Sequence, residues 1–166
     1  MKQIQLTKGK VAMVDDSDFE ELNRFKWCAI EQKGVFRAMR KCRCPFGGKY
    51  HAIYMHRQIM STPCGMETDH RNGDSLNNRR SNLRICTHTQ NLQNQRRDPK
   101  KSSSCFKGVH RTKLTGKWQA YITQNGKRIH LGHFNNEIEA AKTYDAKAKE
   151  LFGEFACLNF DIKEAC

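Results

Sequence analysis

Apolar residues recur along this chain in short alternating runs rather than in long blocks. Residues 10–14 (KVAMV) alternate with a period of two, which argues for a half-buried strand. Asp15-Asp16-Ser17-Asp18 then offers an N-cap and an acidic first turn for a short helix through Phe25. Two further strand-like runs, 27–31 and 35–40, are separated by a Gln32-Lys33-Gly34 turn, and 50–54 is a fourth. Residues 55–60 (MHRQIM) begin a helix that turns Ile59 and Met60 inward. Near Asp69 the periodicity stops. Residues 82–86 read as a short strand and 87–97 as a helix with Thr87 at its N-cap.

The pattern is cleaner in the last third. Three short strands are expected at 107–111, 117–123 and 127–131, with turns at Thr115-Gly116 and Asn125-Gly126; Asn-Gly between strands is a strong hairpin signal. Within 117–123, Trp118, Ala120 and Ile122 point one way, and Lys117, Gln119, Tyr121 and Thr123 the other. In the next strand Ile129 and Leu131 oppose Arg128 and His130. Residues 136–152 carry Ile138, Ala141, Tyr144 or Asp145, Ala148, and Leu151 or Phe152 near a 3.6 period, an amphipathic helix. Before this block, RRDPKKSSS at 96–104 has no apolar residue and reads as a linker. The expected fold class is α+β in two small modules, 1–97 and 105–166, joined by 98–104.

Charge sharpens that division. The 166 residues carry 30 Lys plus Arg against 17 Asp plus Glu, a net charge of +13. Such an excess on a short chain predicts a polyanionic partner, nucleic acid before anionic membrane. Residues 71–101 are the most basic segment, with 8 basic and 2 acidic side chains. From 101 to 128 there are seven basic residues and no acidic one, which concentrates positive charge on the expected sheet rather than on the helix after it. No run of about 18 apolar residues and no apolar leader is present, so a soluble, cytoplasmic protein with no membrane partner is expected, not a secreted one.

Eight cysteines occur without a Cys-x-x-Cys knuckle, and reduced thiols are expected. Cys42 and Cys44 with Cys28 or His51 form a candidate zinc set, a minor alternative because structural zinc sites usually pair tight ligand spacings.

The stretch TDHRNGDSLNNRRSNLR at 68–84 has almost nothing to bury, so polar chemistry must hold it for some use if it is ordered. Phosphodiester cleavage needs a base that activates water and a divalent ion at the phosphate. Histidine suits the first task by its near-neutral pKa, and an Asp with an amide oxygen suits a hard ion. Asp69 and His70 are adjacent, however, and adjacent strand residues face opposite sides.

Asp69-His70, Asn82 twelve residues after His70 and Asn91 nine further on resemble the HNH, or ββα-metal, nuclease motif. The flanks Met55-His56-Arg57, Asn72-Gly73-Asp74, 78–84 (NRRSNLR) and 87–94 (THTQNLQN) extend the likeness. The resemblance implies that His70 is the general base, that Asp69 and Asn91 hold Mg²⁺ or another divalent ion such as Mn²⁺, and that Asn82 fixes the loop. It also implies 5′-phosphate and 3′-hydroxyl ends. Asn77 stands where relatives often carry Asp, His88 is an alternative ligand, and His56 reads as a packed histidine. The dense arginines Arg79, Arg80 and Arg84 are expected to position phosphates.

FKGVHRT, GKWQAYI, RIHLGHF, EIEAAKTYDAKA and ACLNF resemble the AP2/ERF DNA-binding domain over about 56 residues. In that family the outer face of a three-stranded sheet enters the major groove. The matching contact positions here are Lys107, His110, Thr112, Tyr121, Thr123, Arg128 and His130, and Arg111 is counted with them. Trp118, Leu131, Phe134 and Tyr144 are expected in the core, with Gly108 and Gly132 as backbone requirements. The two modules together are similar to phage and mobile-element homing endonucleases. They imply a metal-dependent endonuclease on double-stranded DNA, a monomer or weak dimer in a bacterial or phage-infected cell. The competing class is a non-catalytic DNA-binding regulator with a degenerate HNH scaffold.

Overall fold

The opening segment KQIQ, with a single apolar residue, still forms a strand, because Ile4 is carried into the core by pairing with a later one. β1 (Lys2–Gln5) runs antiparallel to β2 (Val11–Val14), with Ile4 opposite Ala12. The computed structural model describes residues 1–32, 34–43, 48–95 and 103–160. Contacts divide the chain into two units, Met1–Asn91 and Leu92–Cys166. Both are α+β with small antiparallel sheets, as expected.

In the first unit α1 (Asp16–Leu22) follows β2, and Asp15 occupies its N-cap position. The expected cap bond is not made: the Asp15 carboxylate turns instead to Arg79 Nε (3.3 Å) and the Arg80 backbone N–H (2.8 Å). A guanidinium and an amide together hold a carboxylate more strongly than one helix-end amide. β3 (Cys28–Gln32), β4 (Val35–Arg43) and β5 (Tyr50–Tyr54) form an antiparallel sheet in the order 3-4-5. α2 (Met55–Ile59) follows at once. Ile4, Ala12, Val14, Leu22, Trp27, Ala29, Ala38, Met55, Ile59 and Leu83 make one core, against which Met60 packs. Trp27 is buried with its indole N–H donating to Leu22 O at 2.8 Å, so its polar atom is satisfied.

A further antiparallel pair, β6 (Glu67–His70) with β7 (Leu83–Cys86), precedes α3 (His88–Asn94). The α3 start is a capping box: Thr87 Oγ1 accepts from the Gln90 amide (3.3 Å), and Gln90 Oε1 accepts from the Thr87 amide (2.8 Å).

The second unit is a three-stranded sheet closed by one helix. β8 (Val109–Arg111), β9 (Trp118–Gln124) and β10 (Lys127–Phe134) pair in the order 10-9-8. Asn125 and Gly126 both have positive φ, as a two-residue hairpin turn requires. α4 (Glu137–Phe152) starts at Asn136, whose side chain accepts from the Ile138 amide. Val109, Ala120, Ala140 and Ala141 are fully buried, with Trp118, Leu131 and Phe134 packed on them; Tyr144 joins Ile122 and Ala148.

Gly108 is a requirement of packing as well as φ. At φ +76 a Cβ there would lie 2.0 Å from the Tyr144 ring. Of the expected linker, residues 98–102 lie outside the described residues. Its last two residues belong to the second unit instead: Ser104 is buried and donates to Glu137, and Ser103 Oγ accepts from the Arg111 amide.

Candidate active site and nucleic-acid face

Residues 71–82, which carry no apolar period, are ordered by polar bonds from within and from neighbouring strands. Asn72 Oδ1 accepts from the Asp74 amide and Asp74 Oδ1 from the Leu76 amide, two Asx turns in succession. Asn82 spans the loop, accepting from the Asn72 amide (3.1 Å) and donating to Asn77 O (2.8 Å). The far side is tied to β2, where the Met13 amide donates to Leu76 O and the Asn78 amide to Met13 O. Ser75 Oγ donates to Phe36 O.

Asn78 is completely buried. Its Nδ2 donates to Leu76 O at 3.3 Å, which turns Oδ1 toward His70 Nε2 at 3.2 Å. An amide oxygen accepts, so Nε2 carries the proton and Nδ1 is the basic nitrogen. His70 is 8% exposed. Burial holds its pKa below the usual histidine value, and the Asn78 bond and the charges of Asp69 and Asp74 oppose that shift. The His56 ring stands edge-on to His70, centroids 5.1 Å apart. Burial, then the neighbouring His70, Arg37 and Arg57, push the His56 pKa down to about 3. This is the packed histidine expected at position 56. The only local signal for Asn78 in the sequence is an amide inside a polar loop.

Asp69 and His70 are held by different partners, in keeping with their adjacency on β6. Asp69 lies opposite Arg84, and its Oδ2 accepts from Arg84 Nε (2.9 Å) and Nη2 (2.7 Å), both side chains buried. This corrects the expectation for Arg84, whose guanidinium is engaged in an interior ion pair rather than presented to phosphates. Arg79 pairs with Asp15, and Arg80 makes a two-pronged pair with Asp18 at 2.9 and 2.7 Å, so a phosphate at either would compete with a carboxylate.

Glu67 shares the Asp69 face of β6 by alternation. It accepts from Asn91 Nδ2 (2.5 Å) and His88 Nδ1 (2.8 Å), which hold its carboxyl below the usual range. Asp69, Glu67 and Asn91 therefore offer oxygen donors from β6 and α3, a donor chemistry that fits a hard divalent ion. For the alternative zinc set, Cys42 lies opposite His51 and Cys28 opposite Met39, while Cys44 lies outside the described residues. Among the described residues no three His, Cys, Asp or Glu side chains gather as such a site, and the described cysteines are free thiols.

On the second unit the expected outer face forms. His110 lies opposite Gln119, Tyr121 opposite His130, and Thr123 opposite Arg128, whose guanidinium stacks 4.0 Å over the Tyr121 ring. A bulge between His130 and Gly132 resets the alternation, so that His133 pairs with Gln119 on this same face, its ring 4.7 Å from that of His130. Strict alternation from the sequence missed His133. Thr112 ends the β8 side, its amide donating to Lys117 O.

Two members of the expected set stand apart. Lys107 Nζ donates to the carbonyls of Gln93 (2.5 Å) and Gln95 (2.7 Å), and its burial lowers its pKa. Arg111 Nε donates to Gly116 O at 3.0 Å. No helix among the described residues is long and apolar enough to cross a membrane.

A hairpin bearing Asp-His, closed by a helix bearing Asn, and a separate three-stranded sheet on one helix together define a nuclease-type module joined to a DNA-binding-type module. The comparisons agree. A family profile described as HNH endonuclease matches residues 61–93. An uncharacterized HNH endonuclease of Acanthamoeba polyphaga mimivirus is 30% identical over 158 residues, covering 92% of this chain and 76% of the viral protein. The chain belongs to the HNH endonuclease family. Part of the chain is also similar to plant proteins: APETALA2-like protein 2 of Oryza sativa subsp. indica is 36% identical over 69 residues, 42% of this chain. Dehydration-responsive element-binding protein 2A of Arabidopsis thaliana is 42% identical over 69 residues, 40% of this chain. The matches span only 16% and 20% of those plant proteins.

Proposed function

We propose that this protein is a metal-dependent endonuclease that cuts double-stranded DNA at the His70 site and is held on the duplex by the sheet of its second unit. The observation that carries the reading is the fixing of His70: a buried imidazole whose Nε2 is bonded to the fully buried Asn78, so that Nδ1 serves as base at neutral pH. In this reading Nδ1 takes a proton from water as its oxygen attacks phosphorus. The bond from phosphorus to the 3′ oxygen breaks, and that oxygen is then protonated by solvent, leaving 5′-phosphate and 3′-hydroxyl ends. Asn82 holds the loop that carries Asn78, and Arg84 fixes the Asp69 carboxylate.

Asp69 and Asn91 would hold Mg²⁺ or Mn²⁺, which when bound neutralises charge on the scissile phosphate and on the departing oxygen. His110, Tyr121, Thr123, Arg128 and His130 are the proposed DNA contacts of the second unit. Lys107, whose ammonium donates to the carbonyls of Gln93 and Gln95, supports that sheet, while Arg111 is exposed and uses only Nε on Gly116 O, so its remaining N–H groups join the proposed contacts. Joining a weakly binding catalytic unit to a DNA-binding one raises its effective concentration on the duplex. One site cuts one strand, so a monomer nicks.

The test is incubation of supercoiled plasmid, and separately of a folded RNA, with the protein and Mg²⁺ or Mn²⁺. The expected result is nicked circles, suppressed by chelator and by Asp69→Ala or Asn91→Ala, with RNA intact. Intact plasmid under every divalent ion, with DNA binding retained, would assign the chain to a regulatory role instead.

A further inference from the structure

β4 is longer than its neighbours, and the excess carries charge. β3 pairs with it only from Val35 to Met39, whereas Arg40 to Arg43 pair with β5 alone among the described strands, from Ile53 to Tyr50. The sheet thus ends in a two-stranded antiparallel ribbon. Ala38 of β4 belongs to the core and Phe36 packs against it, so alternation turns Arg37, Met39, Lys41 and Arg43 to the opposite face. Cys28, Ile30 and Gln32 of β3 and Tyr50, Ala52 and Tyr54 of β5 share that face by register. It holds three cationic side chains and no carboxylate among the described residues. Lys41 and Arg43 are exposed, and Tyr50, opposite Arg43, is 66% exposed.

This face is continuous with the candidate active site. Arg37 donates to Gln32 (3.2 Å) and Gln32 to the Tyr54 hydroxyl (3.3 Å). The Tyr54 ring lies 5.6 Å from that of His56, which abuts His70. The charge of Arg37 acts on both histidines. A two-stranded ribbon has the cross-section that the major groove of B-DNA admits, and its basic side chains match the phosphates on either side.

We propose that the β4–β5 ribbon is a second DNA-binding element, in which Lys41 and Arg43 grip phosphates of the duplex beside the cleavage point and Tyr50 packs on the strand between them. The proposal rests on the nuclease reading above for what lies next to the ribbon, but it concerns binding. Solvation alone does not account for the face: a phenol ring two-thirds exposed and opposite Arg43 has no role in the core.

The experiment uses the full chain and a duplex oligonucleotide of arbitrary sequence, with affinity followed by fluorescence anisotropy against salt concentration. For Lys41→Ala/Arg43→Ala the slope of log affinity on log salt is expected to be shallower by about 1.8, two phosphate contacts. The gap from wild type therefore shrinks about twelvefold between roughly 50 and 200 mM salt. Lys41→Arg/Arg43→Lys should restore the slope. Thermal unfolding reports on folding, and Lys41→Gln/Arg43→Gln replaces the alanine pair if that pair unfolds early. A folded charge-removing variant with the slope and affinity of wild type overturns the proposal. Failure of the nuclease reading is seen separately, as plasmid nicking that is absent or that survives His70→Ala, and the salt slope still judges the ribbon.

Discussion

In the second unit the sheet is closed from behind by α4, with Val109, Ala120, Ala140 and Ala141 fully buried, and its outer face, the proposed DNA contact, lies opposite that packing. In the first unit the hairpin that carries Asp69 and His70 is closed instead by Arg84, Asn78, Asn82 and Ser75, all buried and all polar. The apolar design separates stability from function, so outer-face residues can vary while the fold persists. The polar design merges them, because the groups that order the loop are those that orient His70 and Asp69. Buried polar groups are costly when a partner is lost, so the first unit should be the less tolerant of substitution around its site.

The largest expected effect tests that contrast directly. Arg84→Ala leaves the Asp69 carboxylate buried without its guanidinium and should destabilise the first unit by about 3–5 kcal/mol. Removing both partners, Asp69→Ala/Arg84→Ala, should cost less than Arg84→Ala alone, measured by urea unfolding followed at the first unit. A double variant that loses as much as the two single variants added together would mean that the pair contributes no coupling. In the second unit the counterpart is steric. Gly108→Ala brings a Cβ against the Tyr144 ring at positive φ and should cost about 2–5 kcal/mol. DNA affinity should fall with the fold there, while amide exchange in the first unit stays as in wild type.

A pH effect in the first unit comes next. The His56 pKa is about 3 in the fold against about 6.5 in the unfolded chain, so between those values the unfolded chain binds the extra proton. Its contribution to stability is complete above pH 6.5 and is lost as pH falls, at about 1.4 kcal/mol per pH unit. His56→Phe should remove that share, giving a shallower loss between pH 6 and pH 5, values set by about one unit around the histidine range. The smallest effect is at a helix end: Thr87→Ala should cost about 1 kcal/mol by opening the capping box of α3, readable as faster amide exchange at Gln90.

The same contrast explains what was legible in the sequence. Where burial is apolar, pattern reports it: Tyr50–Tyr54, the Asn125-Gly126 hairpin and α4 all lie where alternation, turn chemistry and the 3.6-residue period put them. Where burial is polar, pattern is blind. β6 reads ETDH, and nothing local marks it as a strand; it exists because Arg84 and Leu83 pair with Asp69 and His70 across the hairpin. β1 is hidden for a related reason, one apolar residue placed by a partner strand further along. The candidate site residues come from the resemblance to the HNH motif, not from periodicity. Their partners could not be read in the sequence, since Asn78 on His70, Arg84 on Asp69 and Glu67 on Asn91 depend on tertiary contact. The bulge that brings His133 to the outer face breaks the alternation rule by one residue, at Leu131.

The central claim is that His70, oriented by Asn78, is the base of a nuclease site. The direct measurement is single-turnover nicking of supercoiled plasmid in Mg²⁺ by wild type and by His70→Ala, with duplex affinity and thermal unfolding recorded on the same preparations. The account expects cleavage to fall by at least about a hundredfold in the variant, the usual contribution of a general base, with affinity and folding retained. Nicking by folded His70→Ala at the wild-type rate would contradict it.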